Sequence, residues 1–104
     1  MFIPESKKIY NHLKSSAKKR NIPFDLTIDQ LNNFTFPLTC PITGVKLKYK
    51  GSLEDNTYSF DRIDSSKGYT IDNLIIISWR ANKLKNNATI KELKQLAEFY
   101  TNLF

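Results

Sequence analysis

The chain has 104 residues, which is too short for two domains. Its composition, 40% hydrophobic and 12% aromatic, is sufficient for one modest hydrophobic core. Its one cysteine excludes an internal disulfide and a multi-cysteine zinc site, and the longest apolar run, residues 74–77, is far too short to cross a membrane. The net charge of +6 favours nucleic acid as a partner, although a composition rich in Lys and Asn is also what AT-rich coding DNA produces. We therefore expect one domain, residues 1–104, in a reducing cytoplasm.

The first third of the chain is predicted to be helical. Apolar residues recur every four positions and predict a first helix over residues 5–21, with Ser6 as its cap. Thr27 and Gln30 have the spacing of a capping box, which predicts a short helix over about residues 28–34. The remaining faces of the first helix are rich in lysine, so they form either a solvated surface or an arm that contacts DNA. The apolar positions of that helix are Ile9, Leu13 and Ala17.

The middle of the chain carries the signals of short strands. A turn at residues 41–44 separates two of them, and apolar and polar residues alternate after it. Residues 58–63 and 74–79 predict two further strands, the second apolar enough to be buried on both faces. Asp64 is expected to organise the turn-rich connection between these two strands. The alternating apolar residues after the first turn are Val45, Leu47 and Tyr49.

Two helices are predicted after the last strand. Ser78 is expected to cap a short helix over residues 80–87, and Thr89 with Glu92 forms a capping box for a final helix, residues 89–104. The final helix has one apolar stripe at helical spacing. Helices that flank a few short strands make an α+β pattern. The stripe consists of Ile90, Leu93, Ala97, Tyr100 and Phe104.

One acid and one amide stand out as candidate metal ligands. If the two later strands pair and the next helix folds back on them, Asp61 and Asn82 face one point in space. A carboxylate and an amide oxygen suit one divalent ion, Mg²⁺ or Mn²⁺, whose coordination is completed by water and phosphate. The alternatives are that Asp61 pairs with a basic side chain and that Asn82 is a solvated helix residue. Three cations are expected beside this point, where they would suit a phosphate backbone: Arg80, Lys83 and Lys85.

Several short strings occur together in this part of the sequence. They are Cys-Pro-x-x-Gly at 40–44, Asp-Arg-Ile-Asp at 61–64, Lys-Gly-Tyr at 67–69 and Arg-Ala-Asn-x-x-Lys at 80–85. With the preceding string at 17–26, the combination resembles a group of small phage proteins of the HNH, or ββα-metal, endonuclease type. The resemblance covers roughly residues 15–100. It implies a ββα-metal core over residues 38–87, flanked by a helical part at 1–36 and a C-terminal helix at 89–104.

The resemblance also implies functional roles. Asp61 matches the acid that binds the metal, Asn82 matches the metal ligand on the helix, and Asn73 matches the asparagine that braces the loop. The implied protein is a metal-dependent DNA endonuclease or nickase that acts on duplex or branched DNA. It would use one Mg²⁺ or Mn²⁺ ion and no structural zinc. If the chain is encoded by a phage, its setting is the cytoplasm of a bacterial host.

The position of the general base departs from the pattern of this family. It holds Arg62, which stays protonated and cannot take a proton from water. We expect Arg62 and Lys67, together with the three cations named above, to contact phosphate instead. The departure leaves two alternatives open, a non-catalytic DNA-binding module and a phage interaction protein on the same fold. His12, the sole histidine, is expected at a surface position of the first helix.

Overall fold

The computed structural model of the protein describes residues 4–104, so residues 1–3 of the predicted domain lie outside the described part. Within that part, four helices and one two-stranded antiparallel sheet make an α+β fold, as the sequence predicts. A single 3-10 turn, Ile71–Asn73, precedes the second strand. In chain order the elements are α1 (Ser6–Lys19), α2 (Ile28–Asn32), β1 (Tyr58–Arg62), β2 (Leu74–Ser78), α3 (Trp79–Lys85) and α4 (Ile90–Leu103).

Helix α1 packs through its apolar positions and ends in a hydrogen-bonded C-terminal turn. Its buried side chains share one core with Leu26, Leu31, Tyr69 and Leu74. Asn21 adopts a left-handed φ of 54°, which asparagine tolerates. The amide of Ile22 then donates to the carbonyl of Ala17, five residues earlier, at 2.8 Å, as in a Schellman motif.

The start of α1 differs from the sequence prediction. The N-cap is Glu5, and no side chain caps the helix, so the prediction that Ser6 is the cap is wrong. The helix begins at Ser6, one residue earlier than a Ser6 cap requires, which places that serine inside the first turn. The two predicted capping boxes are confirmed, because Thr27 with Gln30 and Thr89 with Glu92 each exchange both hydrogen bonds.

The predicted strands around residues 41–44 are reduced to isolated β-bridges, one between Thr39 and Lys46 and one between Lys48 and Thr57. A tight turn replaces a longer ladder, because the amide of Gly44 donates to the carbonyl of Cys40 at 2.8 Å. The predicted alternation holds for Leu47 and Tyr49, which are buried, whereas Val45 is 42% exposed. This segment therefore covers the sheet with two large side chains, and Cys40 is buried beside them, as a small apolar residue would be.

Strands β1 and β2 pair in a register that joins Asp61 to Ile75 and Ser59 to Ile77. Side chains alternate across a strand, so Ser59 and Asp61 share one face of β1 while Phe60 lies on the other. Helix α3 follows β2 with no intervening loop and contacts both strands. It packs on the face that carries the serine and the aspartate.

The loop after β1 meets the N-terminal part of the chain at Gly68. The amide of Tyr69 donates to the carbonyl of Pro23, and the amide of Asp25 donates to the carbonyl of Tyr69, both at 2.8 Å. A Cβ atom on Gly68 would lie 2.5 Å from the oxygen of Pro23 and 2.8 Å from its Cβ. Only glycine allows this approach of two backbones, which explains its place in the Lys-Gly-Tyr string.

Helix α4 has the predicted apolar stripe, but the stripe is exposed. None of its residues is buried, and Leu93 alone is half-buried. The apolar arc is wider than the sequence analysis describes, since Leu96, Phe99 and Leu103 extend it. Within residues 4–104, no helix combines the length and apolar content that crossing a lipid bilayer requires.

The contact at Gly68 gives a test of the fold. Gly68→Ala should lower the free energy of unfolding by about 2–3 kcal/mol, because either the loop or the Pro23 segment must move. Urea denaturation followed through the fluorescence of Trp79 measures this change. Gly44→Ala is the control, since its Cβ meets open space and the cost comes only from a φ of +77°. We expect about 1 kcal/mol there, and equal losses in the two variants would contradict the close contact.

Candidate metal and nucleic-acid site

The sheet and α3 bring three predicted site residues to one cleft. Asp61 and Arg62 come from β1, and Asn82 comes from α3. The cleft has a volume of about 410 Å³, and most of its lining side chains are polar. Asp61 from the strand and Asn82 from the helix therefore line the same cleft. The complete lining is Arg20, Phe60, Asp61, Arg62, Ser65, Tyr69, Asn82, Asn86 and Asn87.

The carboxylate of Asp61 is held by a lysine. The ammonium of Lys85 lies 2.7 Å from Oδ2 of Asp61 and 2.5 Å from the backbone oxygen of Arg62. The side chains of the pair are only 14% and 16% exposed, so water screens the ion pair poorly. Lys85 therefore neutralises the charge of Asp61 at the edge of the cleft. Removing either side chain would leave the other charge without its ion-pair partner.

The amide of Asn82 is oriented by β1. Its Nδ2 donates to Oγ of Ser59 at 2.7 Å, across the gap between helix and strand. Within residues 4–104 no hydrogen bond reaches Oδ1 of Asn82, so that oxygen is available to a ligand. The serine at position 59 positions the amide because it lies two residues before Asp61, on the same face of the strand.

The oxygens of Asp61 and Asn82 match the donor chemistry of a Mg²⁺ or Mn²⁺ site. Mg²⁺ commonly uses one or two carboxylates and completes its octahedron with water and substrate phosphate. No group of three or more His, Cys, Asp or Glu side chains that could hold a metal occurs in the described residues. An ion here would rest on two protein ligands and would compete with the Lys85 ammonium for Asp61.

Arg62 holds the loop that follows it. One guanidinium nitrogen donates to the carbonyls of Ser65 at 2.9 Å and Lys67 at 2.8 Å. The guanidinium carbon also lies 5.5 Å from the centre of the Tyr69 ring, within cation–π range. These contacts direct the guanidinium to the loop, whereas the sequence analysis assigned it to phosphate. Arg62 still lines the cleft and contributes positive charge to it.

Asn73 and Asp64 make the loop rigid. The side chain of Asn73 accepts from the amide of Asp64 at 2.9 Å and donates to the carbonyls of Asp64 and Gly68. Asp64 in turn accepts from the amide and the hydroxyl of Ser66. The hydroxyl and the amide of Ser66 lower the pKa of the Asp64 carboxyl, so Asp64 organises the turn as the sequence analysis expected.

Four of the five predicted phosphate-binding cations are not among the residues that line the cleft: Lys67, Arg80, Lys83 and Lys85. Lys83 pairs with Asp55 at 3.3 Å and lies 5.8 Å from the centre of the Trp79 ring. For Arg80 and Lys83 the cause is helical geometry. Residues 82 and 85 share one face of α3, so residues 80 and 83 point to the opposite side.

The cleft also contains residues that the sequence analysis did not assign to a site. Arg20 is the C-cap of α1, more than forty residues from Asp61 along the chain. Asn86 and Asn87 follow α3 directly, and Asn86 has a φ of 46°. Arg20 belongs to the string at 17–26 that contributes to the resemblance and to the basic faces of the first helix, and these are the two sequence signals that point to it.

Comparison with known proteins relates the chain to a phage protein. A 29.0 kDa protein from the dda-modA intergenic region of Enterobacteria phage T4 is 24% identical to this chain over 98 residues. The match covers 94% of this chain but only 39% of the length of the T4 protein. No family model matches the sequence, and no solved structure matches it.

The ion pair in the cleft gives a second test. Lys85→Met should lower the free energy of unfolding by about 2–3 kcal/mol, because it leaves the poorly hydrated carboxylate of Asp61 without its partner. Lys83→Met is the matched control, since the ion pair of Lys83 with Asp55 is more exposed and should be worth less than about 1 kcal/mol. Urea denaturation of both variants measures the difference. If Lys83→Met lowers the free energy of unfolding as much as Lys85→Met does, the ion pair of Lys85 with Asp61 gains nothing from its burial.

Proposed function

We propose that the chain is a phage-related DNA endonuclease or nickase of the HNH, ββα-metal type. The observation that carries the proposal is the meeting of Asp61, from β1, and Asn82, from α3, in one polar cleft. The order β1, β2, α3, with the helix folded back on the strands, is the arrangement that a ββα core requires. Arg20 and Arg62 add positive charge around the cleft, which suits a phosphodiester backbone.

The likeness to the phage T4 protein supports a phage-related role. In that role the setting would be the cytoplasm of a bacterial host, and the partner would be duplex or branched DNA. The net charge of +6 agrees with a polyanionic partner. Because the chain matches only 39% of the T4 protein, the activity proposed here concerns the domain and not the longer protein.

The cleft residues would divide the work of hydrolysis. Asp61 and Asn82 would hold one Mg²⁺ or Mn²⁺ ion, which stabilises charge on the phosphate and on the leaving oxygen. Arg20 would position the phosphate, and the amides of Asn86 and Asn87 would offer further donors. Arg62 keeps the loop in place but cannot act as the general base.

A non-catalytic DNA-binding module is a second candidate, and one contact favours it. Lys85 already supplies Asp61 with a cation at 2.7 Å. If the ammonium stays there when DNA binds, the cleft is neutralised without a metal, and it can bind the backbone but not hydrolyse it. The two candidates therefore differ in whether a divalent ion displaces Lys85 from Asp61.

Titration with Mn²⁺ separates the two candidates. If the site holds an ion, the wild type should bind Mn²⁺ and Asp61→Asn should lose that binding, because the amide removes the only charged ligand. Lys85→Met should bind at least about ten-fold more tightly, since the competing ammonium is gone, a gain of about 1.4 kcal/mol. Isothermal titration calorimetry measures the affinity of all three proteins for Mn²⁺. Equal Mn²⁺ binding by the wild type and Asp61→Asn would support the non-catalytic module.

The missing base predicts slow cleavage. We expect the wild type to nick supercoiled plasmid slowly with Mn²⁺, and Arg62→His to raise the rate by roughly 10²-fold, the lower range for a well-placed base. The double variant Arg62→His/Asp61→Asn is the control and should be inactive, because it keeps the base but loses the metal ligand. Time courses of nicking measure the three rates. Inactivity of every protein, with no Mn²⁺ bound, would leave DNA binding as the function of this cleft.

A further inference from the structure

The net positive charge of the chain is concentrated in one segment. Residues 6–20 contain six basic residues and no acidic one. The other ten basic residues of the chain are matched by its ten acidic residues, so this segment carries the equivalent of the whole net charge of +6. The six cations are Lys7, Lys8, Lys14, Lys18, Lys19 and Arg20.

These cations are not used in ion pairs. The ion pairs in the described residues involve Lys48, Lys83 and Lys85, all outside α1. Every cation of residues 6–20 is exposed. An anionic ligand could therefore bind them without breaking an existing pair, whereas Lys85 would have to leave Asp61.

The spacing of the cations divides them between two sides of the helix. Lys8 and Lys19 lie on one side with His12, at intervals of about four and seven residues, and Arg20 follows at the C-cap. A different side of the helix, on the other flank of its buried face, carries the remaining three cations, Lys7, Lys14 and Lys18. We call the first set the near row and the second set the far row.

The near row leads into the cleft. Lys8 and His12 line a cavity of about 890 Å³ against β1, which Glu5 and Trp79 also line. His12 is shared with a second cavity of about 240 Å³, which Lys19 and Arg20 also line. Arg20 in turn lines the cleft that contains Asp61. The three cavities are thus joined by shared residues and run along one side of α1.

We propose that the near row is the track on which a DNA strand reaches the cleft. The proposal rests on the proposed DNA binding and needs neither metal nor cleavage. From Lys8 to Lys19 the helix rises about 16 Å, which corresponds to about five phosphates of one strand at roughly 3.4 Å each along the duplex axis. Glu5 lies beyond Lys8 and repels phosphate, so the track ends there.

The far row provides a control with the same charge change on the same helix. One variant replaces the near row (Lys8→Gln, Lys19→Gln and Arg20→Gln), and the other replaces the far row (Lys7→Gln, Lys14→Gln and Lys18→Gln). Each removes three positive charges, so a general effect of net charge is the same in both. Thermal unfolding checks that both proteins are folded before their binding is compared.

The experiment is a salt titration of binding to a labelled random-sequence DNA duplex, followed by fluorescence anisotropy. Each lost phosphate contact should reduce the slope of log K against log salt by about 0.9. The near-row variant should therefore lose about two to three units of slope and at least ten-fold in affinity. The far-row variant should keep a slope within about half a unit of the wild type.

Three results would overturn the proposal, and they have different meanings. If the wild type binds with a salt-dependent affinity and the two variants lose equal slope, the near row is not a track, although DNA binding stands. If the wild type shows no salt-dependent binding at all, both the track and the proposed DNA-binding function fail. A larger loss in the far-row variant would place the strand along the far row of α1.

Discussion

The joint at Ser78 is the constraint on which the site depends. Its side chain is fully buried, its Oγ accepts from the amide of Ala81 at 3.1 Å, and its own amide donates to the sulfur of Cys40 at 3.2 Å. The last residue of β2 is therefore also the cap of α3, and the chain reverses without a loop. Because this joint fixes where α3 starts, it also fixes which residues of the helix stand over β1.

The same joint explains why Lys85 reaches Asp61 at the edge of the cleft and the neighbouring cations of α3 do not. With α3 starting at Trp79, residues 82 and 85 face the sheet. Lys85 spans the distance to Asp61, while the neighbouring Lys83 reaches Asp55 on the other side. The Lys85 ammonium therefore lies where the proposed divalent ion would have to bind Asp61. A shift of the cap by one residue would present a different set of side chains to the strand.

Much of the fold could be predicted because its signals are local. The two capping boxes and the Ser78 cap depend on residues three positions apart. The spacing of apolar residues, which distinguishes strands from helices, is visible in the sequence itself. The contact of Gly68 with Pro23 and the place of Arg20 in the cleft could not be derived from spacing, since both depend on tertiary contacts between distant parts of the chain. The chemistry of Arg62 predicts a phosphate partner, because a guanidinium binds phosphate through paired hydrogen bonds. In the structure its guanidinium donates instead to the carbonyls of Ser65 and Lys67, in the loop that follows β1.

The exposed face of α4 has a consequence for how the protein unfolds. An isolated helix of 14 residues is marginally stable in water, and α4 has no fully buried residue and only Leu93 half-buried, so tertiary packing adds little to its stability. Unfolding of α4 therefore breaks few contacts with the core. The helix can unfold in a transition separate from the unfolding of the sheet. Far-ultraviolet circular dichroism would sum two separate transitions, whereas the fluorescence of Trp79 reports the joint of β2 and α3 and the cavity that Trp79 lines with α1.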